Sequence, residues 1–232
     1  MLMTDIRRDT EIIDAFRAFV SDSAFPCVGA KSALNKGNMN ILLADDITSG
    51  WDDLKILPHI AALAKHYRKK PELFQTLVVL FRRRSQLDER AFEAAMWERL
   101  QSLSDKDEWL GHQPDPVVSA DPDDPHFAVS IGGSGFFVVG LNPAASRPAR
   151  RFAHPAIVFN LHDQFEQLRA AGRYDGLRDK IIARDIELAG SPNPMLAQHG
   201  AASAARQYSG RAVGSDWQCP YQRRNWSDHD AS

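Results

Sequence analysis

Cysteine is scarce in this sequence, and long apolar runs are missing altogether. The two cysteines, Cys27 and Cys219, are too few for the disulfide framework of a small secreted protein and are typical of a reducing compartment. No apolar run approaches the ~18 residues of a membrane span. Four charged residues lie between Asp5 and Asp9, where a signal peptide would be apolar. We therefore expect a cytoplasmic protein that does not associate with membranes.

A strong excess of either charge is also missing. Lysine and arginine together number 28 and aspartate and glutamate 30, which gives a formal net charge of −2 at pH 7. Because a dedicated nucleic-acid binder usually carries a marked basic excess, we expect no nucleic-acid partner. The chain has 232 residues, of which 44% are hydrophobic. That is enough for one domain to bury a core without disulfide bonds.

The motifs of common enzyme families are absent as well. The sequence has no Walker loop, no Gly-x-Gly-x-x-Gly after a strand and no His-Glu-x-x-His. Gly132-Gly133-Ser134-Gly135 lacks the lysine and the following helix of a phosphate loop, so it predicts a hairpin turn instead. Cys27 and Cys219 lack the Cys-x-x-Cys spacing of zinc sites, and each taken alone is typical of a small buried hydrophobe.

Apolar periodicity predicts helices and strands without a strict βαβ rhythm. Residues 25–31 should end the first helix, and the proline-rich residues 111–126 should form an exposed loop. The pattern predicts the α+β class (mixed α/β), with a small mixed β-sheet packed by helices in one domain over residues 1–221 and a polar tail over 222–232. The expected helices cover residues 9–21, 52–67, 88–103, 162–169 and 174–189, and the expected strands 39–44, 74–81, 127–131, 136–141 and 156–159.

Three arginines, Arg147, Arg150 and Arg151, stand close together after a predicted strand. A guanidinium group matches a planar carboxylate or phosphate with two parallel hydrogen bonds, so such a cluster at a strand end indicates an anion site. A solvated turn would have the same composition, and the residues alone leave both interpretations open. We expect Arg147 and Arg151 to be exposed, so that replacing both would leave the chain folded.

His162 follows a buried strand and begins a predicted helix. On that helix His162, Glu166 and Arg169 share one face at positions i, i+4 and i+7. A neutral imidazole there can bind a metal, with the carboxylate and the guanidinium supporting it. An ordinary polar helix face has the same pattern, so a metal site is one of two interpretations.

The chain from Gly190 onward is irregular and yet rich in aromatic residues. Loops rich in Trp, Tyr and Pro either pack onto a core or line a pocket. From residue chemistry alone, the prediction ends at an α+β protein with an arginine-rich turn that suits an anion.

Many of these segments resemble the YqcI/YcgG family. The resemblance runs from about residue 15 to residue 221, and its motifs are long. The matching segments are Phe25-Pro26-Cys27-Val28-Gly29-Ala30-Lys31, Gly132-Gly133 to Leu141, Ser146-Arg147 to Arg150-Arg151-Phe152, Val158-Phe159-Asn160-x-His162-x-Gln164-Phe165-Glu166, Arg184-Asp185, Gly190-Ser191-Pro192-Asn193-Pro194-Met195-Leu196, Gln207-Tyr208-Ser209-Gly210-Arg211 and Asp216-Trp217-Gln218-Cys219-Pro220.

The resemblance implies a function, because characterised members look like haem-dependent N-hydroxylases of guanidino groups, from the D-cycloserine and guanitoxin pathways. It implies haem b, O₂, an external electron donor such as a reductase, and arginine or a related guanidine as substrate. A non-catalytic haem-binding sensor or carrier is the alternative, and a haem-free protein that binds a small anion is a third interpretation. The sequence leaves a monomer and a homodimer open.

The resemblance also implies roles for individual residues. The haem propionates need cations, and Arg147, Arg150 and Arg151 are the candidates. His162 is the candidate axial ligand of the iron, with a thiolate from Cys27 or Cys219 as the alternative. A substrate guanidinium needs a carboxylate, and Asp185 is the candidate for it.

Overall fold

The structure, a computed structural model, describes residues 2–84, 86–195 and 203–224, and the side chains from residue 6 onward. It is a single α+β domain, as the sequence predicts. The helices are α1 (Leu2–Ser21), α2 (Val28–Asn35), α3 (Asp53–Lys69), α4 (Glu89–Trp109), α5 (Asp163–Ala170), α6 (Tyr174–Ala189) and α7 (Ala205–Tyr208). The strands are β1 (Met39–Ala44), β2 (Thr76–Phe81), β3 (Val129–Ile131), β4 (Ser134–Leu141) and β5 (Ala156–Leu161).

The five strands of the described residues form one mixed sheet in the order β1-β2-β5-β4-β3. β1 and β2 are parallel and are connected through α3, whereas β5 is antiparallel to both of its neighbours. β5 therefore occupies the middle of the sheet. Its buried side chains fix the position of the residues that follow it, beginning with His162.

The core lies in two layers, one on each face of the sheet. α3 and α4 bury the first face, where Phe159 and Met96 are fully inaccessible to solvent. α1 and α2 lie on the second face, where Phe16 contacts the ring of Phe152 edge to face at 5.1 Å. Polar residues that could bind a ligand must therefore lie at the ends of the sheet or beneath helices that cover it incompletely.

The predicted hairpin between β3 and β4 is confirmed. Its two turn residues, Gly132 and Gly133, have φ of +60° and +71°, the left-handed values that a type I′ turn requires and that glycine adopts without strain. The buried Asp107 carboxylate accepts a hydrogen bond from the Gly132 amide at 2.8 Å. This bond attaches the turn to α4.

The first helix ends before residues 25–31, as expected, but a second helix that was not predicted, α2, begins within them at Val28. The Sγ atom of Cys27 accepts a hydrogen bond from the Ala30 amide at 3.4 Å and so caps the helix. Pro26 and Gly29 indicated a break, but a residue before a helix needs only an acceptor side chain to start it. Serine or aspartate would have been recognised in this role more readily than cysteine.

The aromatic residues of the C-terminal segment pack onto the core, which is one of the two arrangements that the sequence left open. Tyr208 stacks on Trp97 at 5.5 Å between ring centroids. Its hydroxyl donates to the carbonyl of Phe136 on β4 at 3.1 Å. Gln222 exchanges two hydrogen bonds with Gln101 of α4, so the first residues of the predicted tail contact the domain, and residues 225–232 lie outside the described residues.

None of the helices in the described ranges is both long enough and apolar enough to cross a membrane.

His154 is a buried histidine that is held neutral by its surroundings. Its Nδ1 lies 3.0 Å from the Phe81 carbonyl, and its Nε2 accepts from Arg84 Nε at 3.2 Å. Since Nε2 must be an acceptor, the proton is assigned to Nδ1. Burial lowers the pKa of His154, and the charge of Arg84 lowers it further.

A pH-dependent loss of stability is expected from this histidine. Because the pKa is lower in the folded state than the ~6.5 of an unfolded chain, the unfolded state binds protons more readily. The contribution of His154 is therefore present above about pH 6.5 and is lost as the pH falls through its folded-state pKa. Urea denaturation at pH 7 and pH 5 should give a larger drop in unfolding free energy for wild type than for His154→Gln. Equal drops in unfolding free energy for wild type and His154→Gln would contradict the assignment of His154 as a buried neutral histidine.

Candidate functional site

One face of the sheet is only partly covered. α1 and Phe152 pack over one end of the second face, and Leu80 and Ala156 beneath them are fully buried. Towards the other end the side chains of β1, β4 and β5 on the same face are half-buried, whereas Thr76 and Val78 of β2 between them are buried. We call these half-buried residues the open face; they are Ile41, Phe137, Val139, Val158 and Asn160, and Phe137 also packs against the first core layer.

α2 and a strained residue border the open face. Ala30 and Leu34 of α2 pack against the second core layer. Phe74, just before β2, has φ of +69°, the only positive value of a non-glycine residue in the described chain. Its ring lies next to Gly29, at 3.8 Å from the position that a Cβ atom there would take. Strained backbone of this kind concentrates at ligand sites, where the surrounding packing enforces it.

His162 lies at one end of the open face. Its amide donates to the Gly135 carbonyl at 2.8 Å, which continues the pairing of β5 with β4. Strand alternation puts it on the same side as Val158 and Asn160. Its Nε2 lies 3.8 Å from Oε1 of Glu166, and Glu166 also forms an ion pair with Arg169. The predicted common face of these three residues is confirmed.

Buried polar contacts hold the start of α5 behind His162. Gln164 donates to the Gln75 carbonyl at 2.8 Å and accepts from the Gln75 amide at 2.7 Å. Asp163 accepts from the Tyr67 hydroxyl at 2.7 Å. Burial and this hydrogen bond raise the pKa of Tyr67. His162 is thus presented from a rigid position, as a ligand residue requires.

Arg147 and Asp185 form a buried ion pair at the other end. Nη2 of Arg147 donates to Oδ2 of Asp185 at 2.5 Å and to the Ser191 carbonyl at 3.0 Å. The exposed fractions of the two side chains are 12% and 7%. The expectation that the arginines are exposed is therefore wrong for Arg147. Asp185, which pairs with Arg147 in this buried position, lies 38 residues further along the chain.

Arg150 is also largely covered, but carbonyl oxygens bind it instead of a carboxylate. Its guanidinium donates to Gly140 at 3.0 Å, Gln207 at 3.2 Å and Tyr208 at 3.4 Å. Burial lowers the pKa of Arg150 to about 10, and the nearby Cys27 and Asp185 partly oppose this shift. The group remains a cation at neutral pH.

We call Cys27, Arg147, Arg150 and Asp185 the cationic cluster. Burial raises the pKa of the Cys27 thiol, so the cysteine is neutral at pH 7 and the cluster has two cations for one carboxylate. The buried Nε of Arg147 has no hydrogen-bond partner within the described residues. An excess positive charge with an unused donor suits an anionic group.

The structure separates Arg151 and Cys219 from this cluster. Arg151 is exposed and donates to the carbonyls of Ala145 and Ser146 in its own loop. Cys219 packs against the first core layer, on the opposite side of the sheet. Burial raises the pKa of Cys219 to about 12. Neither residue lies on the open face.

The length of the open face separates His162 from the arginines. His162 pairs with Gly135 and Arg150 binds Gly140 of the same strand. Five residues of extended strand span about 17 Å. Cys27, which is close enough to Arg150 to affect its pKa, is therefore the candidate ligand nearer to the arginines.

Within the described ranges, no three His, Cys, Asp or Glu side chains converge on a point where a metal ion could be chelated. A haem iron takes only one or two residues from the protein, so a chelating cluster is not what such a group needs.

The open face and Phe74 are the features that sequence reasoning missed. In β4 the run from Phe136 to Val139 is apolar at every position, so alternation gives no sign that one side is less covered. Phe74 was assigned to the predicted strand 74–81, and nothing in its residue type indicates its positive φ.

The comparison with family models gives one match: the YqcI/YcgG family, over residues 16–222. A search of curated proteins and a search of solved structures return no match.

Proposed function

The chain belongs to the YqcI/YcgG family, and from this premise we propose that it is a cytoplasmic, haem-dependent monooxygenase. It inserts one oxygen atom of O₂ into an N–H bond of a guanidino group, in arginine or a related guanidine. The other oxygen atom leaves as water, with two electrons from an external donor and two protons.

The observation that supports this proposal is the composition of the open face. A partly exposed, mainly apolar surface can contact a macrocycle, and a macrocycle that carries two carboxylates suits a surface with cations at one end. The unpartnered Nε of Arg147 and the excess charge of the cationic cluster fit such a carboxylate. The donor set also fits iron, because His162 and Cys27 are both candidate axial ligands.

Haem, when bound, would supply the iron that activates O₂, which an amino-acid side chain cannot do. In this proposal Arg147 and Arg150 would hold the propionates, and His162 would hold the iron, with Cys27 as the alternative. The open face would exclude water from the apolar part of the group. Arg151 and Cys219 do not take part, because they lie away from this surface.

Asp185 is the carboxylate assigned to the substrate guanidinium. It already binds a guanidinium, that of Arg147, at 2.5 Å. A substrate would bind there by displacing Nη2 of Arg147, whose unpartnered Nε is the atom assigned to a propionate. Glu166 is the other carboxylate near the open face, but it pairs with Arg169 beside His162.

Titration with hemin tests the proposal. We expect one haem per chain, with a Soret band shifted from that of free hemin. His162→Ala should change the ferric and ferrous–CO spectra, whereas Cys27→Ser and the control Cys219→Ser should leave them unchanged. A single turnover with arginine, O₂ and a reductant should give the N-hydroxylated guanidine.

Each outcome discriminates between functions. A missing Soret shift would refute haem binding. A bound haem that turns over none of a panel of guanidines would favour the sensor or carrier. If the haem spectrum is unchanged in His162→Ala but lost in Cys27→Ser, the iron ligand is the Cys27 thiolate. If the spectrum is lost only in Cys219→Ser, the open face is not the haem site.

A further inference from the structure

A cavity of about 590 Å³ lies on the outer side of α4, away from the open face. Residues of α4 from Ala94 to Trp109 and Pro220 of the C-terminal segment line it. Its volume is within the range of about 300–1,000 Å³ that small-molecule sites occupy. The proposed haem function does not use it.

A buried ionic network forms one wall of this cavity. Asp53 is fully buried, and its Oδ2 accepts from Ser102 Oγ at 2.5 Å and from Lys106 Nζ at 2.7 Å. Its Oδ1 lies 3.3 Å from Nη1 of Arg99, whose side chain is 3% exposed. Arg99 and Lys106 therefore both pair with Asp53, so this network by itself carries one more positive than negative charge.

Donors at the same wall are unused. Nε of Arg99 and the indole Nε1 of Trp97 are buried and make no hydrogen bond with the described part of the chain. Both residues line the cavity, and both are 2% exposed. An unsatisfied buried donor is unfavourable, and more so when it is charged. An acceptor delivered by a ligand would remove this cost.

The remaining walls restrict what the ligand can be. The indole of Trp109 is 77% exposed and, with Pro220, offers an apolar surface for a ring. Two carboxylates also line the cavity: Glu98 is exposed to water, and Asp105 accepts from Gln101 and lies 3.5 Å from Arg224. They would repel a multiply charged anion, so a single carboxylate is favoured over a phosphate chain.

We propose that this cavity binds a small aromatic monocarboxylate. The carboxylate accepts hydrogen bonds from Arg99 and Trp97, and the ring packs on Trp109. Because binding involves no haem, the site can be tested independently of the proposed enzymatic function.

The experiment compares 3-phenylpropionate with its neutral amide by isothermal titration calorimetry on the full chain. We expect the acid to bind at least tenfold more tightly than the amide. The Trp97 indole N–H resonance, assigned with Trp97→Phe, should move downfield on addition of the acid. Trp109→Ala should weaken binding of the acid at least fivefold. The matched control Trp51→Ala, which replaces a similarly exposed tryptophan outside the cavity, should not weaken it.

Three results would overturn the proposal. These are no binding of the acid at millimolar concentration, equal binding of the acid and the amide, and an equal loss of affinity in Trp109→Ala and Trp51→Ala. The comparison of acid with amide uses wild-type protein, so it remains decisive if a variant fails to fold.

Discussion

Asp185→Asn is expected to lower the free energy of unfolding by about 3–5 kcal/mol, because it removes one charge of a buried ion pair and leaves the other uncompensated. Arg147 would keep its charge in a site where 12% of its side chain is exposed. The Ser191 and Pro192 carbonyls would still accept hydrogen bonds from it, but they carry no net charge. Urea denaturation followed by circular dichroism measures the loss.

Asp179→Asn on the same helix is the matched control. Asp179 pairs with Arg178 at 3.0 Å but is 66% exposed, so its replacement should change the unfolding free energy by less than about 0.5 kcal/mol. A loss below about 1 kcal/mol in Asp185→Asn would contradict the argument. If that variant does not fold, the double variant Arg147→Met/Asp185→Leu should recover stability, since an apolar pair leaves no buried charge.

Arg150→Met is expected to cost about 2–3 kcal/mol, because it leaves acceptors beneath the side chain without their donor. Methionine keeps much of the length of the arginine stem but donates no hydrogen bond. The carbonyls of Gly140, Gln207 and Tyr208 would lose their partner. Chemical denaturation gives the stability change, and hemin titration of the folded variant gives its haem affinity, which should also fall.

Arg151→Met provides the comparison, because Arg151 is the neighbouring residue and is exposed. Its replacement should cost less than about 1 kcal/mol and leave haem affinity unchanged. Equal losses in Arg150→Met and Arg151→Met would show that the turn acts as a solvated charged segment.

Local patterns were sufficient to predict most elements of the fold. The strand over residues 39–44 has the predicted bounds, and Asp88 caps α4 through a hydrogen bond from the Ala91 amide at 2.7 Å. The β3–β4 turn follows from its two glycines. These features depend on neighbours within a few residues, which the sequence displays directly. α2 was missed because its cap is a cysteine.

The candidate site was less predictable because its contacts are distant in sequence. The shared face of His162, Glu166 and Arg169 follows from helical spacing and was predicted. The burial of Arg147 depends on Asp185, and the burial of Arg150 depends on Tyr208 packing beside β4. The sequence of the arginine-rich turn contains no pattern that indicates these distant partners. Its composition alone therefore predicted that the arginine side chains are exposed.

The packing of the C-terminal segment beside β4 has a consequence for self-association. β3 pairs only with residues 134–136 of β4, so the apolar remainder of that strand, up to Leu141, has an outer edge without a neighbouring strand among the described residues. Tyr208 binds the Phe136 carbonyl where the pairing with β3 ends, and Arg150 binds the Gly140 carbonyl further along this edge. An uncovered apolar edge is a template for pairing with another chain. The segment around α7 therefore protects the protein against intermolecular strand addition, in addition to closing its core.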